Sequence, residues 1–368
     1  MESRWQLLRE WPPGYGGVER VAHELATIWK GPVFSFDVTV KARRSISKIT
    51  EPLPVNYVRH RLRCVHFSRL SVPLPSLSLL KILSSSVPLH GHLPSPGVLL
   101  ILLFARLFRP KRFISIHWHA FLESPSNAYG FLVFIYQHFA LFLLPLFSEI
   151  VATSPIVAKE LCDSGHLSGK VRVLPCCLDQ KFESAALALP LRRSTSLPTR
   201  VLFIGRLNSY KRLDWLITAL STLNSSWRLD VVGDGSKREI FESQAKGLPV
   251  YFHGLLDEAS KLNQLSKSHL LVLPSDSSNE AFGIVQLEAM AAGVPSLAFA
   301  RKRSGMGWVG MVQGFKWSQK PDDLAEVLET LVANNSLLSL LSEQARDRYL
   351  LLFSREVWMK KLVALCRH

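Results

Sequence analysis

Short apolar runs alternate with amphipathic stretches twice along this chain, and a gap at 175–199 separates the two series. Strands that alternate with helices pair in parallel, with the helices packed on the faces of the sheet. In the first series, residues 4–10 read as a strand, PPGYGG (12–17) as a turn and VERVAHELATIWK (18–30) as a helix with its apolar residues at helical spacing. Further strands are expected at 33–40, 55–58, 86–89, 112–116 and 149–153. The gap, PCCLDQKFESAALALPLRRSTSLPT, holds three prolines and no clean periodicity, and reads as a connector. The second series places strands at 201–207, 228–235, 250–254, 270–274 and 295–300, with helices at 211–223 and 284–293. The stretch 336–365 is helical in pattern.

A chain of 368 residues exceeds the usual size of one core. The expected architecture is therefore α/β, with two Rossmann-like domains at 1–180 and 181–349 and a last helix at 350–368. Ligands of such domains bind beyond the carboxyl ends of the strands, so a central cleft is the expected site. The five cysteines are irregularly spaced and form no CxxC pair, which points to free thiols and away from a zinc site. Net charge is +15, with basic clusters at 41–48 (KARRSISK), 59–63 (RHRLR) and 106–112 (RLFRPKR), so an anionic partner is expected. No arginine-rich arm, RNP motif or zinc finger accompanies them, and nucleic acid is not the expected partner.

Residues 1–11 lack the cationic start and apolar run of a signal peptide. VLLILLFARLF (98–108) is too short to span a bilayer and contains Arg106. FLVFIYQHFALFLLPLF (131–147) is at the lower length limit and is interrupted by Gln137, His138 and Pro145. A buried or interfacial helix is expected there. The basic clusters and this helix together suggest a peripheral position on an anionic membrane surface.

Candidate chemistry concentrates in NEAFGIVQLEAM (279–290), where Glu280 and Glu288 stand eight positions apart. The strand at 270–274, a loop and the helix at 284–293 place Glu280 beyond the strand's carboxyl end. Glu288 then lies about one turn into the helix. Backbone N–H groups near Phe282 and Gly283 face the helix N-terminus, a site suited to a diphosphate. A carboxylate on either side can accept hydrogen bonds from sugar hydroxyls. In GRLNSYKRLD, Arg206 and Lys211 follow a strand and can neutralise a departing diphosphate. Gly233 and Gly235 in VVGDG permit either close approach of a ligand or a tight turn. In the first half, Gly16 and Gly17 precede a helix but do not form GxGxxG, which disfavours a nicotinamide cofactor. His90 and His92 are expected just after the strand at 86–89, and His117 and His119 just after the next. No HExxH helix supplies a third metal ligand, so no metal is expected.

Together these residues resemble the retaining GT-B glycosyltransferases of family 4. The resemblance rests on GYGGVERVAHELA, GRLNSYKR, VVGDG and, most specifically, EAFGIVQLEAMAAGVP with its E-x7-E spacing. HLPSPG followed by HWHAF is similar to the subgroup that assembles bacterial O-antigens, lipopolysaccharide and exopolysaccharides with mannosyl or rhamnosyl donors. The resemblance implies a first domain that binds acceptor, a second that binds the nucleotide sugar, and a C-terminal helix at 350–368 that crosses back to the first domain. It implies that Glu280 binds the transferred hexose, Glu288 the ribose, and Arg206 and Lys211 the diphosphate. Phe282, Gly283, Gly233, Gly235, Gly16 and Gly17 would line the donor, His92 would stand beside the donor sugar, and His117 and His119 would lie on the acceptor side.

The implied donor is GDP-linked, with no cofactor or metal. The implied location is the cytoplasm, peripheral on the cytoplasmic face of the inner membrane, next to a glycan or lipid-linked acceptor. Two departures stand out: Cys177 occupies a position where the family commonly has Gly, and RKRSGMGWVGMVQGFKW after Pro295 lacks part of the usual Gly-rich pattern. Two competing readings are a GT-B epimerase or phosphorylase, which turns over donor without a glycan acceptor, and a catalytically silent partner in a polysaccharide assembly complex.

Overall fold

The structure of the chain is a computed structural model that describes residues 3–9, 16–36, 55–67, 70–123, 127–165, 167, 169–191, 198–311, 317 and 323–366. The basic cluster at 41–48 and the turn residues 12–15 lie outside the described residues. The described residues fall into two compact units. One runs up to Cys176 and takes in the residues from Met359 onward. The other is Cys177–Trp358.

The first unit contains a seven-stranded sheet with β1 (Trp5–Leu8), β2 (Val33–Phe36), β3 (Arg59–Leu62), β6 (Leu89–Leu93), β7 (Ile114–Trp118), β8 (Glu149–Ala152) and β9 (Val171–Val173). A separate antiparallel hairpin is formed by β4 (Cys64–Phe67) and β5 (Leu70–Pro73). The sheet order is β3-β2-β1-β6-β7-β8-β9, with all pairs parallel. The helices are α1 (Gly17–Trp29), α2 (Leu77–Ser84), α3 (Pro96–Phe108), α4 (Ala128–Leu143) and α5 (Pro155–Gly165). The order runs one way from β1 and the other way from β6, so the chain changes direction between these two strands.

Two elements sit later than the sequence suggests. The strand expected at 55–58 lies at Arg59–Leu62, an edge strand whose basic side chains mask its pattern. The strand expected at 86–89 lies at Leu89–Leu93, because Pro88 has no N–H to give to a ladder. His90 and His92 are therefore within a strand rather than after one. Gly91, between them, faces the other side of the sheet, where a Cβ would lie 2.4 Å from Leu102 of α3. Its lack of a side chain lets α3 approach the sheet.

The second unit has a five-stranded parallel sheet, ordered β12-β11-β10-β13-β14. Its strands are β10 (Thr199–Ile204), β11 (Trp227–Val232), β12 (Val250–Gly254), β13 (Leu270–Leu273) and β14 (Ser296–Ala298). Here the change of direction falls between β10 and β13. The connector holds a helix that its prolines conceal, α6 (Gln180–Leu187), capped by Asp179, whose carboxylate accepts from the N–H of Lys181 at 2.9 Å. Then come α7 (Leu213–Ser221), α8 (Arg238–Gln244), α9 (Glu258–Lys267), α10 (Ile284–Ala291), α11 (Met306–Val309) and α12 (Asp323–Ala333). The terminal helical stretch divides at Phe353–Ser354 into α13 (Asn335–Leu352) and α14 (Arg355–Leu365). Glu183 of α6 accepts from Tyr349 Oη and from the N–H of Arg355, each at 2.8 Å, and so ties α6 to the terminal helices.

Gly233 ends β11 at φ +135, and a Cβ there would lie 1.9 Å from the carbonyl oxygen of Gly205. At Gly235 a Cβ would lie 2.6 Å from the carbonyl oxygen of Leu207. Both glycines let the loop after β11 lie directly on the loop after β10. Gly233→Ala combines a left-handed backbone with a backbone clash and should cost about 2–5 kcal/mol. The expected result is a lower urea midpoint for the second unit with the first unit's transition unchanged.

Candidate active site

Parallel neighbours deliver their carboxyl-end loops side by side, and the loops that follow β10 and β13 meet where the strand order reverses. They are held together by backbone and side chains. The N–H of Asp276 donates to the carbonyl of Tyr210 at 3.1 Å, and Arg212 pairs with Asp276 at 3.0 Å and with Asp214 at 2.8 Å. Arg212 itself adopts a left-handed backbone (φ 50) at the start of α7, and its guanidinium stacks 3.8 Å from the ring of Trp215. With these braces in place, Lys211 Nζ donates to Glu280 Oε2.

Glu280 keeps about a fifth of its side chain in solvent, so the pair lines a surface site and is not part of the core. Its carbonyl accepts from Ser304 Oγ at 2.6 Å, and the N–H of Gly305 donates to the carbonyl of Ala281 at 2.7 Å. The segment that departs from the Gly-rich pattern thus clamps the backbone of the Glu280 loop.

Gly283 begins α10 with φ +70, and a Cβ there would lie 2.5 Å from Leu273. Only glycine turns the chain from this loop into the helix without strain. The N–H groups of Phe282 and Gly283 bond to no other backbone group among the described residues. They stand at a helix N-terminus, where the aligned peptide dipoles favour an anion. The ring of Phe282 is buried against Phe353 and serves packing. Gln286 is buried in the same helix. It donates to the carbonyls of Phe282 at 3.0 Å and Met306 at 3.2 Å and accepts from Ser296 at 2.9 Å, which fixes the loop from beneath.

Arg206 is exposed at the rim, with Nη2 3.2 Å from Tyr210 Oη. It makes no ion pair among the described residues. Glu288 is 2% exposed and lies 2.9 Å from Nζ of Lys261 on α9. The bonds of Lys261 to Glu288 and of Gln286 to Met306 and Ser296 carry no signal in local spacing, because those partners are 20 or more residues away in sequence or on another element. Removing one partner of a buried pair leaves the other charge uncompensated. Lys261→Ala should therefore destabilise the second unit by roughly 3–5 kcal/mol, more than Lys261→Arg, as read by urea denaturation.

In the first unit, Gly16 caps α1 without a side-chain hydrogen bond and Gly17 is its first residue; both are exposed. The histidines are buried together on the face of β6 and β7. His92 pairs with His117 in register. Gln6 Nε2 donates to the carbonyl of Ala22 at 3.1 Å, so its Oε1 accepts from His92 Nε2 at 2.9 Å. His92 Nδ1 is then the acceptor for His119 Nε2–H at 2.8 Å. His90 Nδ1 lies 2.7 Å from Ser115 Oγ, and its Nε2 lies 3.4 Å from His117 Nδ1.

One nitrogen each from His90, His92 and His117 lies within 4.8 Å of the others, a spacing that a metal ion could bridge. Both ring nitrogens of His90 and of His92 are already engaged, so a metal would have to displace buried hydrogen bonds; His117 Nε2 alone of these is unpartnered. Burial, and then the neighbouring imidazoles, push His90, His92 and His119 well below the usual imidazole value, and burial lowers His117 to about 3. The array is neutral. An unfolded imidazole takes up its proton near pH 6.5, whereas these do not until the medium is far more acidic. The unfolded chain binds more protons there, and stability is lost as pH falls below about 6.5. Each imidazole should remove up to about 1.4 kcal/mol per pH unit. Melting of the first unit should drop between pH 7.5 and 5.5, and less so in His117→Gln.

Comparison with known proteins follows the same division. The Glycosyltransferase Family 4 profile matches residues 15–182, and the Glycosyl transferases group 1 profile matches residues 193–348. Among curated proteins, the chain is 26% identical over 215 residues to the sulfoquinovosyl transferase SQD2 of Arabidopsis thaliana, covering 56% of this chain and 42% of the relative. It is 28% identical over 194 residues to a GDP-mannose-dependent alpha-(1-6)-phosphatidylinositol dimannoside mannosyltransferase of Mycobacterium tuberculosis, covering 51% and 50%. The chain spans about half the length of these relatives. Among solved structures, Anabaena HepE in complex with UDP is similar at a TM-score of 0.74 and 17% identity, covering 99% of each chain.

Proposed function

Since the chain belongs to the GT-B glycosyltransferases of group 1 and family 4, we propose that it transfers a hexose, mannose or rhamnose, with retention of anomeric configuration. The donor is a nucleoside diphosphate sugar, GDP-linked, and the acceptor a glycan or lipid-linked saccharide in surface polysaccharide biosynthesis on the cytoplasmic side. The contact between Lys211 and Glu280, beside the N-terminus of α10 at the strand-order reversal, carries this reading. It pairs a cation with a carboxylate three residues before Gly283, and the N–H groups of Phe282 and Gly283 bond to no other backbone group among the described residues; a sugar diphosphate would use all three kinds of group. The M. tuberculosis relative, described as GDP-mannose-dependent, supports the choice of base and sugar.

In this reading Lys211 and Arg206 hold the diphosphate and stabilise the charge that grows as its bond to the sugar breaks. No metal is needed for that step. Glu280 binds hydroxyls of the transferred sugar; Glu288 on α10, assigned to the ribose, is buried against Lys261 and would have to exchange that pair for the ligand. The acceptor hydroxyl attacks the oxocarbenium-like sugar from the face that the diphosphate leaves, and its proton passes to the departing diphosphate oxygen. Gly283 keeps the α10 N–H groups open to phosphate. In the first unit, His92, His117 and His119 stand buried and neutral at the carboxyl end of β6 and β7; both ring nitrogens of His92 are taken by Gln6 and His119, so a role toward sugar would require exchanging one of those bonds.

Two measurements test this. Thermal melting against a panel of nucleotides, without added metal, should show stabilisation by GDP and one GDP-sugar, because a ligand that binds only the folded state raises its melting temperature. A response to UDP alone would reassign the base, and no response to any nucleotide would overturn the donor site. Glu280→Ala should lower transfer by at least about 100-fold, the loss expected for a key transition-state contact, with an unchanged far-UV circular dichroism spectrum and a lowered melting temperature, because Lys211 is buried and loses its partner. Full transfer by that variant would remove Glu280 from the reaction.

A further inference from the structure

Helices α3 and α4 connect β6 to β7 and β7 to β8. Right-handed crossovers between successive parallel strands place both on the same face of the sheet. Their inner residues enter one core: Leu99, Leu102 and Ala105 from α3, and Ala140 and Leu141 from α4. Their outer surfaces are apolar as well. Phe104, Leu107 and Phe108 are exposed on α3, and Phe131, Phe139 and Phe142 on α4, with Leu107 at 71% and Phe142 at 78%. A surface helix of a soluble domain ordinarily turns charge outward. Neither of these helices contains an acidic residue.

Of the polar residues that interrupt the apolar runs, Arg106 and Gln137 leave this outer surface unbroken, and the exposed His138 lies against it, its ring 3.9 Å from that of Phe134. Arg106 turns back to donate to the carbonyls of Pro110 and Arg112, at 2.6 and 2.8 Å, and to Ser148 at 3.0 Å. Gln137 is buried and accepts from the N–H of Leu122. At the end of α3, Arg109 and Lys111 stand exposed.

We propose that the outward face of α3 and α4 docks on an anionic lipid bilayer, with both helices lying in the plane of the interface. An apolar surface of this extent on a monomer marks an interaction site. Charge selects the occupant: exposed Arg109 and Lys111 flank the surface at the end of α3, on a chain of net charge +15, which complements anionic headgroups and opposes pairing with a second copy. The helix Ala128–Leu146 is long and apolar enough to cross a bilayer. It is nevertheless one layer of the sandwich, with Gly130, Gln137, Ala140 and Leu141 buried beneath it. Crossing would strip this face from the sheet, whereas lying flat keeps it in place and seats the aromatic side chains among the acyl chains. The inference does not depend on the donor or reaction proposed above.

Flotation of the full chain with vesicles tests it. Vesicles of phosphatidylcholine with 30% phosphatidylglycerol should carry the protein at low salt, and phosphatidylcholine alone should carry much less. The triple variant Phe131→Ser, Phe139→Ser, Phe142→Ser should lose about tenfold or more of its binding. Arg109→Glu with Lys111→Glu should remove the preference for the anionic lipid. Failure of the wild type to float on anionic vesicles, or flotation of the triple variant at the wild-type level, overturns the proposal. Self-association in sedimentation velocity that the triple variant abolishes, without flotation, would assign the face to a second copy instead. Phe139→Trp, which keeps the surface apolar, adds a direct reading: its fluorescence should be quenched by brominated acyl chains, and an unquenched signal in bound protein would place the contact elsewhere.

Discussion

The hydrogen-bonded pair of Lys211 and Glu280 is the contact on which the site in the second unit depends. It joins two loops that are 69 residues apart in sequence. Neither loop could hold its charge in place alone: Lys211 sits in a single 3₁₀ turn and Glu280 in an irregular loop. The sheet solves this by making β10 and β13 neighbours at the point where the order reverses, so that both loops leave the sheet at one end and diverge from a common crevice. Arg212, Asp276 and Tyr210 then tie the loops to each other, and Ser304, Gly305 and Gln286 tie the Glu280 loop to the structure behind it. Such bracing matters for transfer chemistry because groups already oriented toward developing charge need no reorganisation as the bond breaks.

The first unit repeats the arrangement with different chemistry. Its order reverses between β1 and β6, and the residues there are Gln6 and the histidines rather than charged groups. Full burial keeps the imidazoles neutral, and a neutral imidazole offers one donor and one acceptor without the cost of desolvating a charge. A chain of hydrogen bonds from Ala22 through Gln6 and His92 to His119 fixes which nitrogens carry protons. The two units thus place complementary groups at equivalent points of the same topology: ion pairs and helix dipoles in one, uncharged polar groups in the other. On the outer side of the first unit, α3 and α4 are apolar on both faces, a pattern that packing against the sheet explains for only one of them.

Local pattern reached a good part of this. The alternation of strand and helix, the doubling of the series, and the strands at 250–254 and 270–274 were legible because a strand buried on both faces leaves a short apolar run, as in LLVL, and a half-buried helix leaves a period of 3.6. The edge strand Arg59–Leu62 was displaced because its basic side chains, half-buried at Arg59 and His60 and exposed at Arg61, leave no such pattern, and α6 was hidden by flanking prolines although Asp179 caps it well. At the site, Glu280, Lys211 and Gly283 stand out from spacing and residue type. Lys261, Arg212, Asp276 and Gln6 do not, since each acts through a partner that only folding brings near.

The sequence by itself determined the class of fold and which loops carry glycines, cations and carboxylates, because periodicity and residue type are properties of neighbours along the chain. Tertiary structure alone decided which of those residues meet. It put Glu288 against Lys261 in the interior, left Arg206 at the rim, and turned Gly233 and Gly235 toward another loop's backbone. It also set the histidines inside the sheet, bonded to one another. The reason is geometric: the order of strands in a sheet is not the order of strands in the chain, and the crevice forms where the two orders part.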